Sequence, residues 1–137
     1  MAEPREPALT REDAERLLDG CELHSRLGLR LVEWAYGRVS FDFEPPAFAR
    51  SRDGPAVHGG AIATALDTAA CFAAIAAVGV DCTTIDLRTD FLRPAADAAL
   101  SVRGTLLRAG RRFAWADATL STLEGTPLAT GRGTFTW

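Results

Sequence analysis

The sequence predicts an α+β domain in which one antiparallel sheet of about six strands curls around a single long helix. Three observations carry that expectation. A chain of 137 residues has room for one hydrophobic core and not for a second. The stretch from Gly59 to Ala77 is apolar on nearly every side, so it reads as a helix wrapped by other structure. Six stretches of alternating apolar and polar residues, two before this helix and four after it, are broken by Gly and Pro turns.

The elements follow in order. Residues 1–9 are polar and Pro-containing and read as a flexible segment, leaving 10–137 as the domain. Thr10 followed by Glu12 and Asp13 is a helix-start signal; Leu17 and Leu18 give that short helix an apolar side, and Gly20 is its expected stop. Leu29 to Trp34 and Arg38 to Glu44 form a hairpin turning at Tyr36-Gly37, closed off by Pro45-Pro46, because proline cannot donate to a sheet ladder. Ala47 to Val57 is a loop carrying Arg50 and Arg52. After the long helix, Thr83 to Leu92 sets Ile85, Leu87, Thr89 and Phe91 on one face and Thr84, Asp86, Arg88 and Asp90 on the other. Leu100 to Leu107, Arg112 to Leu123 and Leu128 to Trp137 follow, separated by Ala109-Gly110 and Glu124-Gly125, and the four strands read as an antiparallel meander. One sheet cannot cover a helix that is apolar all round, so a symmetric oligomer is expected, a dimer or a dimer of dimers.

Composition excludes several functions. Hydrophobic residues make up 47% and charged residues 24%, the balance of a soluble globular protein. The formal net charge of −3 gives no basic field for nucleic acid or an anionic membrane, so an anionic ligand must meet a local Arg cluster. The N-terminal residues lack the pattern of a signal peptide, and Asp67 interrupts the apolar run at a cost of roughly 2.5–3.5 kcal/mol on membrane-insertion scales. Cys21, Cys71 and Cys82 form no CxxC pair, which suits a reducing compartment and argues against a disulfide framework or a zinc site. A cytoplasmic protein without a metal is the expectation.

Chemistry concentrates in Val57-His58-Gly59-Gly60 and Asp67-Thr68. A Gly pair at a helix start leaves N–H donors free at the positive end of the dipole, where they can stabilise an oxyanion; equally, it can serve only to let helix and sheet approach. A lone carboxylate in a buried Ala-rich helix is costly unless paired or facing a wet pocket. Asp67 therefore reads either as a general base or nucleophile, or as a hydrogen-bonded contact between helices of a dimer. His58 and Asp67 are nine residues apart, roughly 13 Å of rise and half a turn out of phase. One helix cannot aim both at one atom, so if both act they come from different subunits.

His58-Gly59-Gly60, Asp67-Thr68 and the block from Thr84 to Ala95 resemble the acyl-CoA thioesterases of the PaaI (phenylacetate pathway) type, in the 4-hydroxybenzoyl-CoA thioesterase superfamily. The resemblance runs from about Leu23 onward and implies the hotdog fold, often as a homotetramer. It implies hydrolysis of an acyl-CoA thioester to a carboxylic acid and free CoA, with coenzyme A as part of the substrate and no separate cofactor. By the same resemblance the Gly59 N–H polarises the thioester carbonyl and His58 helps to shape that site. Asp67 of the opposing subunit attacks the carbonyl or activates water, which Thr84 helps to orient. Arg93, Arg111 and Arg112 stand where relatives use basic residues on CoA, and each reads otherwise as a solvated charge. Arg52 departs from the pattern, since many relatives have Asn or Gln there. A non-catalytic acyl-CoA-binding protein is the alternative, and the presence of Asp67 favours catalysis.

Overall fold

The structure is a computed structural model that describes residues 4–137; the part of the expected flexible segment formed by residues 1–3 lies outside the described residues. Helix α1 (Arg11–Asp19) opens with Thr10 as N-cap in a reciprocal capping box with Asp13. It ends as expected at Gly20, although φ of −66° there makes no use of glycine's left-handed freedom. A five-residue helix α2 (Glu22–Arg26), for which the sequence gives no signal, comes next. Strands β1 (Leu29–Ala35) and β2 (Arg38–Phe43) then form the hairpin, turning at Gly37, whose φ is +64°. A 3₁₀ turn at Ala47–Ala49 leads toward the 20-residue helix α3 (Gly59–Val78). Strands β3 (Thr83–Phe91), β4 (Leu100–Ala109), β5 (Phe113–Thr122) and β6 (Pro127–Thr136) complete the chain.

The six strands form one antiparallel sheet in the order β1-β2-β4-β5-β6-β3, curled around α3. This is the α+β hotdog architecture. Only β4, β5 and β6 run as a meander. The four-strand meander expected from the sequence fails at β3, which lies at the far edge beyond β6. Residues 92–99 join β3 to β4 without a tight glycine turn, and that length of chain lets β4 cross back to pair with β2.

Helix α3 is held close by the strands beneath it. A Cβ on Gly104 of β4 would run into the Ala69 carbonyl, and one on Gly131 of β6 would lie 3.3 Å from Leu66 Cβ. Phe41, Phe43, Leu66, Ile75, Leu100, Leu120 and Phe135 fill the core between helix and sheet. Phe72 packs edge-on against Phe41 and Trp34 at centroid distances of 5.5 and 6.5 Å. By length and composition α3 could span a membrane, but most of it is buried against the sheet. One stripe stays partly open: Gly60, Ala63, Thr64, Asp67 and Cys71, which recur at helical spacing on one side.

Strand β3 departs from simple alternation. Thr84 pairs with Phe135 and Asp86 with Thr134, so Ile85 is an extra residue in a bulge. Beyond it the parity changes. Thr84 therefore shares the helix-facing side with Leu87, Thr89 and Phe91, and Ile85 is left 57% exposed. Asp86, Arg88 and Asp90 face outward, the water-facing ladder expected of them.

Candidate functional site

Among the described residues, the first turn of α3 leaves one backbone donor without a partner. His58 is the N-cap in extended backbone (φ −60°, ψ 136°), and its Nδ1 accepts the Gly60 N–H at 2.9 Å. That bond requires the ring proton of the neutral imidazole to sit on Nε2. The His58 carbonyl accepts the N–H groups of Ala61 and Ile62 at 3.0 and 3.1 Å. Among the described residues the Gly59 N–H has no acceptor. It lines a cavity of about 370 Å³ with Ile62, Phe91, Leu92 and Arg93. The free donor stands at the positive end of a 20-residue helix, which suits it to a developing negative charge.

Asp67 sits on the open stripe of α3, half-buried, and the Thr84 hydroxyl donates to its Oδ1 at 2.8 Å. This is the only hydrogen bond to its carboxylate among the described residues. Burial raises the Asp67 pKa above its ordinary value, opposed by the Thr84 hydrogen bond and by charge on His24. The carboxylate therefore holds its proton more tightly than an exposed aspartate does, which makes its anion a better base. It lines a second cavity of about 210 Å³ with His24, Cys71, Phe72, Cys82 and Thr84.

Two neighbouring thiols are inert. Burial, reinforced by the charges around it, pushes Cys71 far up, and Cys82 is pushed up to about 11, burial again leading. Neither forms appreciable thiolate near neutral pH, so these two thiols do not compete with the Asp67 carboxylate as a nucleophile. Among the described residues no three His, Cys, Asp or Glu side chains come together to hold a metal ion.

The two cavities share no lining residue. Gly59 and Asp67 are eight positions apart on one helix, about 12 Å of rise. Within one chain the free donor and the carboxylate thus face different spaces. The basic residues divide in the same way. Arg93 borders the Gly59 cavity and donates to the Pro127 carbonyl at 2.9 Å. Arg111 and Arg112 lie in the β4–β5 turn, where the Arg112 carbonyl accepts the Thr136 hydroxyl at 2.7 Å, and Thr136 pairs with Thr83. They stand at the opposite end of the nine-residue strand β3 from Arg93, about 30 Å along the chain. Arg52 is exposed on its loop.

His24 joins this region without any signal in the sequence, because its placement depends on the short α2 turn. Its Nδ1 lies 3.2 Å from the Leu18 carbonyl, which fixes that proton and leaves Nε2 with a lone pair in the neutral ring. Its ring meets Phe72 edge-on at 6.1 Å and borders the Asp67 cavity.

Comparison with known proteins agrees with the fold. A family model described as "Thioesterase superfamily" matches residues 54–129, more than half of the chain, covering α3 and most of the strands that follow it. The "Putative esterase SSO1253" of Saccharolobus solfataricus is 26% identical over 134 residues, 96% of this chain and 86% of that protein. A solved structure from the thioesterase superfamily is 26% identical with a TM-score of 0.86, covering 92% of this chain and 96% of the other. The E. coli PaaI protein of the phenylacetic acid degradation operon superposes with a TM-score of 0.83 at 19% identity, over 91% and 90% of the two chains. The smu.793 protein of Streptococcus mutans, solved bound to acetyl CoA, gives 0.73 at 22% identity over 80% and 87%. At these identities the last two show the fold alone.

Proposed function

Since the chain belongs to the thioesterase superfamily, we propose that it is an acyl-CoA thioesterase whose active site is completed across a subunit interface. The observation that carries this reading is the half-buried Asp67 carboxylate, oriented by Thr84 and made more basic by burial, in a cavity separate from the free Gly59 N–H. A subunit interface brings these halves together. Strand β3 is an edge of the sheet, and Ile85, Phe91 and Leu92 stand more than half exposed along and just beyond it. In an antiparallel pairing of β3 with its copy, the Thr84 end of one strand meets the Phe91 end of the other. Asp67 of one protomer then faces the Gly59 cavity of its partner, and Arg111 and Arg112 approach the partner's Arg93 end. The open stripe of α3 is covered by the same association.

In this site the Gly59 N–H and the helix dipole hold the thioester carbonyl oxygen and take up its charge as the tetrahedral intermediate forms. Asp67 either removes a proton from water, which attacks the carbonyl carbon, or attacks that carbon itself; Thr84 fixes the carboxylate in place. After attack by water, collapse of the intermediate breaks the C–S bond and gives the carboxylic acid and the CoA thiolate, which takes up the proton held by Asp67 to become the thiol. After attack by Asp67 the same collapse gives an acyl–Asp67 anhydride and the CoA thiolate, and water then hydrolyses the anhydride to the carboxylic acid and free Asp67. The guanidinium groups of Arg93, Arg111 and Arg112 supply phosphate contacts for CoA. The acetyl CoA found on the Streptococcus mutans protein supports a CoA thioester as substrate. No metal or redox group is required, and the cytoplasm is the compartment this chemistry suits. The Asp67 carboxylate, oriented by Thr84 and made more basic by burial, favours catalysis over an acyl-CoA-binding module. The test is a hydrolysis screen over aryl-, short-chain and long-chain acyl-CoAs, reading release of free thiol. Turnover that vanishes in Asp67→Asn supports the reading, and binding of acyl-CoA without turnover overturns it.

A further inference from the structure

We propose that Arg50 is a positioning residue for the Gly59 donor, clamping together the two loops that wall the Gly59 cavity. This role rests on the proposed part of Gly59 in thioester hydrolysis. The Arg50 guanidinium group donates to four backbone carbonyls and to no carboxylate. Nε reaches Pro45 at 3.1 Å, Nη1 reaches Pro55 at 2.7 Å and Ala96 at 3.3 Å, and Nη2 reaches Asp97 at 3.0 Å. These acceptors come from the end of β2, the loop entering α3 and the connection leaving β3. They are distant in sequence and have no other side chain joining them among the described residues.

The clamp sits where Gly59 is set. Arg50 and Val57 form an isolated antiparallel bridge, and the Ser51 N–H bonds to the Ala56 carbonyl at 2.7 Å, closing residues 51–56 into a loop. The Val57 N–H donates to Ala95 at 2.7 Å and the His58 N–H to Ala49 at 2.8 Å. Ala95 and Val57 are two walls of the cavity that Gly59 lines, next to Pro94 and Arg93. The guanidinium therefore holds Pro55, two residues before the wall residue Val57, and Ala96-Asp97, directly after the wall residue Ala95, fixing the spacing between the Gly59 N–H and the segment opposite. Only arginine's planar fork spans these acceptors at once; lysine presents a single point of donors. Misplacing a donor by about 1 Å can cost on the order of 10²-fold in rate.

The experiment compares wild type, Arg50→Lys and Arg50→Met on the acyl-CoA that the wild type turns over best, together with amide hydrogen exchange at Val57 and His58. Both variants should lose at least about tenfold in kcat, with KM changing less, and both amides should exchange faster. Lysine should not rescue. Normal kcat in Arg50→Met, whether or not exchange speeds up, overturns the proposal and leaves Arg50 as a loop tie. Slow turnover with unchanged exchange at both amides overturns the clamp as its cause. If one variant fails to fold, the other gives the same readings. A wild type inert on every acyl-CoA overturns the acyl-CoA reading itself and the positioning role with it, an outcome distinct from failure of the variants alone.

Discussion

Two singly damaged chains should repair each other if Asp67 and Gly59 serve one site from different protomers. Asp67→Asn removes the base. Gly59→Pro removes the donor, and the structure shows why this substitution is mild. Gly59 is the first residue of α3, its N–H has no acceptor among the described residues, and His58 before it already has the extended ψ of 136° that a following proline demands. A Cβ at Gly59 meets only Phe91, at 3.4 Å, an ordinary contact. Gly59→Ala, which adds the same Cβ and keeps the N–H, is the control and should stay active. Each damaged homo-oligomer should lose about 10²-fold or more in kcat. Mixed in equal amounts after dissociation and reassembled, about half of the dimers are hybrids by statistics. Each hybrid has one site with both lesions and one with none, so activity should return to about a quarter of wild type if sites are independent. Thiol release is the assay, with hybrids confirmed by native mass spectrometry. Confirmed hybrids that remain inactive, or light scattering that finds only monomer, refute the shared site.

Three further outcomes follow from the same geometry. Asp67→Asn should abolish most turnover yet raise the melting temperature at neutral pH. Burial lifts the native Asp67 pKa above its unfolded value, so its stability contribution is full only below the ordinary aspartate pKa and is lost as pH rises through the native one; the variant's advantage should vanish in acid, and a variant destabilised at pH 7 contradicts the assignment. Thr84→Val removes the hydrogen bond that holds the Asp67 pKa down, so the acid limb of kcat/KM should move to higher pH, while Thr84→Ser should leave it in place. Gly104→Ala forces a methyl group into the Ala69 carbonyl, where backbone must move, and should cost about 3 kcal/mol or more in urea denaturation; a loss under 1 kcal/mol contradicts the close helix–sheet contact.

The long helix is legible in the sequence because an Ala-rich run that is apolar all round suits little except a helix buried on every side, and His58-Gly59-Gly60 marks its start. The Arg38–Phe43 strand and the turn at Gly37 are legible from alternation and punctuation. The position of β3 is not. Local alternation is the same whether a strand continues a meander or adds to the far edge, and only pairing decides it. The face of Thr84 is hidden for a related reason, since one bulged residue inverts the pattern and leaves no mark in composition. At the site, Asp67 stands out as a charge in an apolar run, whereas His24 and Arg50 matter only through contacts with segments distant along the chain. Arg50 bonds across 46 and 47 positions to Ala96 and Asp97, a relation no spacing within the loop reveals.

The extra residue in β3 couples two chemistries through a counting rule. Thr84, which steadies the carboxylate, and Phe91, which lies against Gly59, share a face only because Ile85 stands outside the pairing frame. Substitutions in β3 that keep the ladder to β6, which excludes proline, leave that count unchanged. Deleting Ile85 itself removes the bulge and keeps the frame, because Thr84 and Phe91 then alternate regularly on one face. Adding or removing a residue elsewhere between them while the bulge persists turns one of them toward solvent. Apart from that one residue, the strand thus tolerates changes of residue type far better than changes of length, and drift in this protein is expected to be frozen in one coordinate while free in the other.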